Sequence, residues 1–172
     1  MLQIIQATTD EHIQAAKQLS AEYIRWIIGA IRETYPELDI EQFISEHDYE
    51  QSGAKFPGEY VPPSGRLLVA TADDQVCGCI ALGKLSNSIC EMRTLFVPPI
   101  YRGQGIGRKL AESLLDEARA AGYSLIRLDT LRFMDSAFGL YRSLGFREID
   151  AYRALPEHLK PYIRFMELDL RA

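Results

Sequence analysis

Apolar residues recur with a helical period through most of the first 47 positions of the chain. After a short predicted strand, LQIIQAT, they return every three or four residues, as on one face of an amphipathic helix. A capping box of Thr8 and Glu11 marks the start of this helix, and Pro36 marks its end. We predict a second, shorter helix over residues 39–47. Residues 49–65 contain three prolines and three glycines, and we expect them to form a loop of the length typical of functional loops.

Strand patterns alternate with helical ones through the middle and the end of the chain. Two apolar runs, RLLVATA and QVCGCIALGKL, flank Asp73 and Asp74 and predict a hairpin, although its turn lacks the favoured glycine. CEMRTLFV predicts a third strand, residues 105–121 a helix, and SLIRLDT another strand. A helix then runs from a cap at Asp135 to Gly145, and FREIDAY and YIRFMELDL predict the last two strands.

The resulting order, β-α-α-β-β-β-α-β-α-β-β, determines the predicted fold class. The alternation from Cys90 to Tyr152 favours parallel strands joined by crossover helices. The meander before it favours antiparallel pairing, so the sheet is mixed. The class is therefore α/β, or α+β in schemes that give weight to the meander. A length of 172 residues indicates one domain, over residues 1–172.

Composition and charge exclude several classes of protein. Hydrophobic residues make up 47% of the chain and charged residues 25%, as in ordinary globular proteins. A net charge of −5 argues against a general nucleic-acid binder, which would normally be basic. No apolar run approaches the roughly 20 residues of a membrane span, and the first nine residues do not resemble a secretory signal. We expect a cytoplasmic protein with neither a nucleic acid nor a membrane as partner.

The cysteines and histidines do not predict a metal site. Cys77, Cys79 and Cys90 form no C-x-x-C pair and lie within apolar runs, so we expect buried, reduced thiols. The three histidines are scattered and form no ligand pair. We therefore expect no metal.

One stretch, VPPIYRGQGIGRKLAE at residues 97–112, carries a chemical signal. Three glycines run directly into a helical pattern. A helix start presents about four unpaired N–H groups and roughly half a positive charge. Glycines allow positive φ and a close approach of the backbone to a ligand. The stretch therefore predicts an anion site, with phosphate as its natural occupant.

Two common phosphate loops do not fit the spacing. A Walker loop needs G-x-x-x-x-G-K-[ST], but Lys109 is followed by Leu110. The dinucleotide fingerprint G-x-G-x-x-G also fails, because Gly103 and Gly105 are followed by Arg108. Asp129 does end the next strand where a ribose-binding acid would sit, but too little chain remains for a second nucleotide half.

The spacing Arg102-x-x-Gly105-x-Gly107 resembles the [RQ]-x-x-G-x-[GA] signature of the GNAT superfamily of N-acetyltransferases. The following helix, the LIRLDT strand, the helix with Leu140-Tyr141 and the Gly145-Phe146 ending recur in that family in the same order. The resemblance implies the GNAT fold, a mixed, mostly antiparallel sheet with a central splayed parallel pair flanked by helices. It implies acetyl-CoA as co-substrate. The cofactor-binding residues it implies are Leu95, Phe96, Val97, Arg102, Gly103, Gln104, Gly105, Ile106, Gly107 and Arg108.

The reaction implied by the resemblance is direct attack of an amine on the thioester carbon. Tyr141 falls at the family's helix tyrosine and would contact the sulfur as acid or hydrogen-bond donor; a core tyrosine is the alternative. Glu91 matches a carboxylate that some members use as base; a water relay, or a structural pair with Arg93 or Arg127, is the alternative. The chain departs from the family at Met134, where many members carry an asparagine.

The acceptor is predicted only as a primary amine of a small molecule or a protein. Residues 33–50 contain seven acidic residues and no lysine or arginine, and such a face would attract a cationic amine; a solvated face is the alternative. Tyr35, Tyr49 and Tyr60 could line a pocket there or pack the loop. A non-catalytic acyl-CoA-binding regulatory module is the competing function, and both a monomer and a homodimer stay open. The acidic residues are Glu33, Glu37, Asp39, Glu41, Glu46, Asp48 and Glu50.

Overall fold

A computed structural model describes residues 1–47, 53 and 55–172, and it contains seven strands and four α-helices over those residues. The strands are Gln3–Gln6 (β1), Arg66–Ala72 (β2), Gln75–Lys84 (β3), Ile89–Phe96 (β4), Leu125–Leu131 (β5), Arg147–Ile149 (β6) and Ile163–Asp169 (β7). The helices are Asp10–Thr34 (α1), Ile40–His47 (α2), Ile106–Ala120 (α3) and Asp135–Ser143 (α4), with 3-10 turns at Pro99–Tyr101 and Glu157–Tyr162. The predicted order of elements is confirmed.

Two of the predicted helix starts are wrong by one residue. Thr9, not Thr8, caps α1, because its hydroxyl accepts the hydrogen bond from the His12 N–H at 3.2 Å. Met134 is the N-cap of α4. Asp135 lies in the first turn, where its negative charge interacts favourably with the positive end of the helix dipole. Thr8 and Thr9 are adjacent cap candidates that pattern alone does not separate, whereas methionine is not a usual N-cap residue and Met134 makes no side-chain cap bond.

The hairpin between β2 and β3 forms without a glycine. Asp73 and Asp74 take φ of 50° and 63°, which places both in the left-handed region. Aspartate tolerates that region better than most residues, and positive φ at both central positions matches the twist of a two-residue hairpin. The predicted hairpin is confirmed.

The sheet has the order β1-β2-β3-β4-β5-β7-β6, and β4–β5 is its parallel pair. All other described neighbours are antiparallel. The second crossover, through α4, does not produce a second parallel pair, because β7 inserts between β5 and β6. The mixed, mostly antiparallel sheet is confirmed.

The parallel pair separates shortly after it begins. Its register covers Ile89 with Leu125, Cys90 with Ile126, and Glu91 with Arg127, and no further pairs follow. Beyond Glu91 the two strands continue for several residues without pairing to each other, so a wedge opens between them. The predicted splay is confirmed.

A bulge bends β4 where the wedge opens. The β3–β4 register passes from Ala81 opposite Arg93 to Cys79 opposite Phe96, which leaves one extra residue in β4. Thr94 lies in this step with φ of 53°, a strained value for a β-branched residue. The strain falls at the mouth of the wedge, and such outliers cluster at functional sites.

Helices cover both faces of the sheet. The predicted inward face of α3 is buried against β2, β3 and β4, with Ile106, Leu110, Leu114, Leu115 and Ala118 in the core. Burial of a leucine side chain contributes about 1.5–3 kcal/mol. On the opposite face α1 buries Ala16, Leu19, Ser20, Ile27 and Ile31. The three cysteines are buried as predicted. No described helix is long and apolar enough to cross a bilayer.

Candidate functional site

The wedge between β4 and β5 opens into a cavity of about 680 Å³. One wall is β4 from Glu91 onward and the other is the second half of β5. Helices α1 and α4 and part of the loop after α2 close the remaining sides. The predicted strand residues Leu95, Phe96 and Val97 all line this cavity, as do Glu91, Arg102 and Tyr141. The splayed pair therefore brings together residues that lie up to 50 positions apart.

The glycine turn forms the N-terminus of α3 beside the cavity. Gly103 and Gly105 have φ of 77° and 76°, and an added Cβ at either would meet nothing within 4 Å. The backbone conformation, not crowding, therefore accounts for glycine at both positions. Gly105 is the N-cap residue, but it has no side chain, so the first turn of α3 is left without a side-chain cap. The Gly105 carbonyl accepts from the Lys109 N–H at 3.1 Å. The N–H groups of Ile106, Gly107 and Arg108 precede that bond and have no intrahelical partner.

The two arginines of the turn are held by protein contacts. The Arg102 Nε–H donates to the Val97 carbonyl at 2.9 Å, and its guanidinium lies 4.7 Å from the Trp26 ring centroid. Arg108 donates from Nη2 to the Ser143 hydroxyl at 2.6 Å, so it links α3 to α4. Gln104 is exposed. The Trp26 contact is not expected from the sequence, because Trp26 lies far from the turn along the chain.

Glu91 lies at the point where the parallel strands part. Its side chain is 6% exposed, and its Oε1 accepts from Arg93 Nε at 2.7 Å. The other carboxylate oxygen, Oε2, is buried and has no hydrogen-bond partner among the described residues. Burial raises the pKa of Glu91 above its usual range, although the charge of Arg93 acts in the opposite direction. Of the two structural partners considered for Glu91, Arg93 is present, whereas Arg127 pairs with Glu167 at 2.8 Å.

A second ion pair lies across the cavity from the first. Asp129 on β5 accepts from Arg153 at 2.5 Å, and both residues line the cavity. Sequence analysis considers Asp129 only in the rejected role of a ribose-binding acid, and it assigns Arg153 no role. No local pattern could have identified Arg153, because the chain returns it to β5 only through tertiary structure.

Tyr141 projects from α4 into the cavity. Its side chain is buried, and burial followed by the charge of Asp129 raises its pKa, so the phenol stays protonated. Tyr23 of α1 also lines the cavity, and its pKa is raised by burial and then by Tyr141. Sequence analysis assigns Tyr23 no role in the site. Met134 lines the cavity too, with its sulfur 3.6 Å from the Thr130 hydroxyl.

The acidic run before the loop does not line this cavity in the part that the structure describes. Asp39 caps α2 through the N–H groups of Glu41 and Gln42, both at 3.1 Å. Glu37 accepts from the Tyr162 hydroxyl at 3.0 Å. Both residues have structural roles. Tyr49, Asp48, Glu50 and the side chain of Glu46 lie outside the described residues.

Two tyrosines named with that run have separate places. Tyr60 lines the cavity, where its hydroxyl interacts with Arg93. Tyr35 packs against Phe133 and Tyr162 instead, with ring centroids 5.7 Å and 4.6 Å apart. Among the described residues no cluster of histidine, cysteine, aspartate and glutamate has the arrangement of a metal site.

A sheet split at one parallel pair, with an uncapped glycine turn at the split, defines the class of acyl-CoA acyltransferases. A family model described as acetyltransferase (GNAT) domain matches residues 63–148. An IAA acetyltransferase of Azospirillum brasilense is 38% identical over 63% of this chain and 70% of its own length. An uncharacterized N-acetyltransferase of Dictyostelium discoideum is 24% identical over 94% of this chain and 96% of its own length. The PaiA N-acetyltransferase of Thermoplasma acidophilum, solved with coenzyme A, superposes with a TM-score of 0.71 at 20% identity, covering 98% and 99% of the two chains.

The chain belongs to the GNAT family of acetyltransferases. It is an acetyl-CoA-dependent acyltransferase, as the family resemblance implies. The family model covers β2 through β6, which includes the glycine turn, the splayed pair and the helix of Tyr141.

Proposed function

We propose that the chain transfers the acetyl group of acetyl-CoA to a primary amine of a small molecule or a protein by direct attack. The observation that carries this proposal is the uncapped N-terminus of α3, which opens beside the wedge between β4 and β5. One sheet extends from β1 to β7, so the proposed transferase domain is residues 1–172. The CoA in the PaiA structure supports the same co-substrate here.

The proposed diphosphate site is the backbone of residues 102–108. The free N–H groups at the start of α3 and the helix dipole both favour an anion there. Positive φ at Gly103 and Gly105 is the kind of backbone geometry in which successive N–H groups form an anion-binding nest. Arg102 connects the turn to Val97 and to Trp26, and Arg108 links α3 to α4. Gln104 and Ile106 contribute through their backbone.

The pantetheine arm is proposed to lie along β4. From Met92 onward this strand has no partner on its β5 side, so its backbone groups there can pair with an added extended chain. The amide groups of Leu95 and Val97, on either side of Phe96, are proposed to make these bonds. Fixed N–H donors of this kind also polarise an acyl carbonyl, because they are in place before the reaction begins.

Glu91 is proposed to take the proton of the acceptor amine, directly or through one water. Its unpartnered Oε2 is the free acceptor in the buried part of the cavity, and its raised pKa makes it a better base than an ordinary glutamate. The neutral amine nitrogen then bonds to the acyl carbon and gives up its second proton to solvent as the amide forms. The carbon–sulfur bond breaks, and the thiolate of CoA leaves with its electron pair.

Tyr141 is proposed to donate a hydrogen bond to the departing sulfur. An unperturbed phenol has a pKa near 10 and a thiol near 8.5, so the phenol is the weaker acid. The pKa of Tyr141 is raised further by burial, which favours hydrogen-bond donation over full transfer of its proton. The thiolate then takes its proton from solvent as CoA departs.

Ligand binding followed by a thiol-release assay tests the proposal. Acetyl-CoA and CoA should each raise the melting temperature, and a ligand at a hundredfold excess over its Kd stabilises by about 2.7 kcal/mol. NAD should have no effect. CoA should then be released in the presence of amines. Binding without release for any amine would support the regulatory module instead, and no binding would exclude both.

A further inference from the structure

Six charged side chains of both signs line the cavity besides Arg102 at the glycine turn and Asp135 on α4. The basic ones are Lys55, Arg93 and Arg153, and the acidic ones are Glu59, Glu91 and Asp129. Their formal charges cancel, and they stand on four separate parts of the chain. A polycationic acceptor would face three basic groups at close range, while a substrate with both charges would find a partner for each.

The two arginines differ in how fully their donors are used. Arg93 donates to Glu91 and also interacts with the Tyr60 hydroxyl. Arg153 makes one hydrogen bond, from Nη2 to Asp129, although a guanidinium has five N–H groups. Its side chain is 36% exposed and lies over the Phe165 ring at 5.7 Å. Within the described residues Arg153 therefore keeps a fork of N–H donors for a ligand.

Glu91, in contrast to Arg153, has an acceptor atom that lacks a hydrogen-bond donor. Its Oε2 is a buried charged acceptor without a donor, and such an atom costs free energy unless a ligand or water fills the place. An amine at this oxygen would also lie where the two strands part, next to the β4 edge along which the pantetheine arm is proposed to lie. The cavity thus offers an acceptor for an amine and, on the β5 side, donors for an anion.

We propose that the acceptor is a small primary amine that also carries a carboxylate, with its nitrogen at Glu91 and its carboxylate on Arg153. This inference rests on the proposed function. Arginine suits the role because its planar fork matches the two oxygens of a carboxylate. A peptide N-terminus does not meet the requirement, because the carboxyl group next to its amine is an amide. Asp129 holds Arg153 in place as a positioning residue.

Matched sets of amines test the inference by thiol release. Each set contains an amino acid, its carboxamide and its decarboxylated amine, and an N-terminal peptide serves as a further acceptor. A hydrogen-bonded charge pair contributes about 1.5–3 kcal/mol, so kcat/KM should favour the acid by about 10–100-fold. Arg153→Gln should reduce that ratio to about one, mainly through KM, and Arg153→Lys should keep part of it because lysine retains the charge without the fork.

Arg147→Gln is the matched control, because Arg147 pairs with Glu167 at 3.1 Å and does not line the cavity. It should leave the preference unchanged. Equal or better transfer to neutral amines, diamines or the peptide would overturn the inference while the proposed transferase stands, and so would an unchanged preference in Arg153→Gln. Absence of thiol release with every amine tested would overturn both the inference and the proposed transferase activity. An unaltered acetyl-CoA thermal shift would show that Arg153→Gln is folded; if it does not fold, the wild-type ratios and Arg153→Lys decide.

Discussion

The proposed ligand contacts at the glycine turn beside the cavity (the α3 end) differ in kind from those at the charged residues within it (the acceptor end). At the α3 end the proposed ligand contacts are backbone N–H groups set by two left-handed glycines. At the opposite end they are side chains in two ion pairs, Glu91–Arg93 and Asp129–Arg153. A backbone site depends on a few adjacent φ values, whereas a side-chain site depends on where separate elements meet. The first end can therefore serve every member of a family, while the second can change with the acceptor.

The largest effect is expected from Gly105→Glu. A side chain at φ of 76° is strained, and a carboxylate there would occupy and repel the proposed diphosphate. CoA binding, measured by calorimetry, should be lost. Gly105→Ala adds the strain without the charge and should weaken binding less.

Gly29→Glu is the control for this pair. Gly29 is exposed on α1, and an added Cβ there meets nothing within 4 Å. The variant should bind CoA normally. Unchanged binding by a folded Gly105→Glu would exclude the α3 end as the diphosphate site.

Glu91→Gln should lower kcat/KM by about a hundredfold, the low end for loss of a positioned base. Because burial raises the pKa of Glu91, the wild-type rate should fall as pH decreases through a value above that of an ordinary glutamate. Below that pKa the carboxyl is protonated and cannot accept the proton of the amine. The acidic limb of the pH profile should vanish in the variant.

The charges facing Glu91 come from Arg93 on its own strand and from Asp129 and Arg153 across the wedge. Glu117→Gln is the control, since Glu117 pairs with Arg66 outside the cavity. It should keep the wild-type profile. An acidic limb that persists in Glu91→Gln would assign proton removal to water or to another group.

Tyr141→Phe should reduce kcat by about tenfold with little change in the Kd of CoA. The variant loses one hydrogen bond to the leaving sulfur, an interaction that strengthens as the thiolate forms. Tyr123→Phe is the matched control, because the Tyr123 hydroxyl donates to the Ser64 carbonyl at 2.7 Å, away from the cavity. It should cost about 1 kcal/mol of stability without affecting kcat. A Tyr141→Phe enzyme with full turnover would leave Tyr141 a packing residue.

The sequence predicts the α3 end far better than the acceptor end for a physical reason. Gly103 and Gly105 are two residues apart, and their conformation follows from local backbone sterics. Even the splay of β4 from β5 was expected only through the family resemblance, because strand divergence has no local pattern. Arg153 meets Asp129 across 24 positions of chain, and Tyr23 meets Tyr141 across more than 100. Periodicity places such residues on a face but does not say which other element lies opposite.

The smallest expected effect tests whether the two ends communicate. Trp26 lines the cavity from α1, and it also lies under the Arg102 guanidinium at 4.7 Å, with Arg102 bonded to the end of β4. A cation–π contact contributes about 0.5–1 kcal/mol, so Trp26→Leu should weaken CoA binding by about two- to fivefold. Trp26→Phe keeps a ring and should recover part of the loss. Ile28→Leu is the control on the same helix, since Ile28 does not line the cavity. An unchanged Kd for CoA in Trp26→Leu would mean that α1 does not contribute to CoA binding. The glycine turn would then keep its conformation without the Trp26 contact.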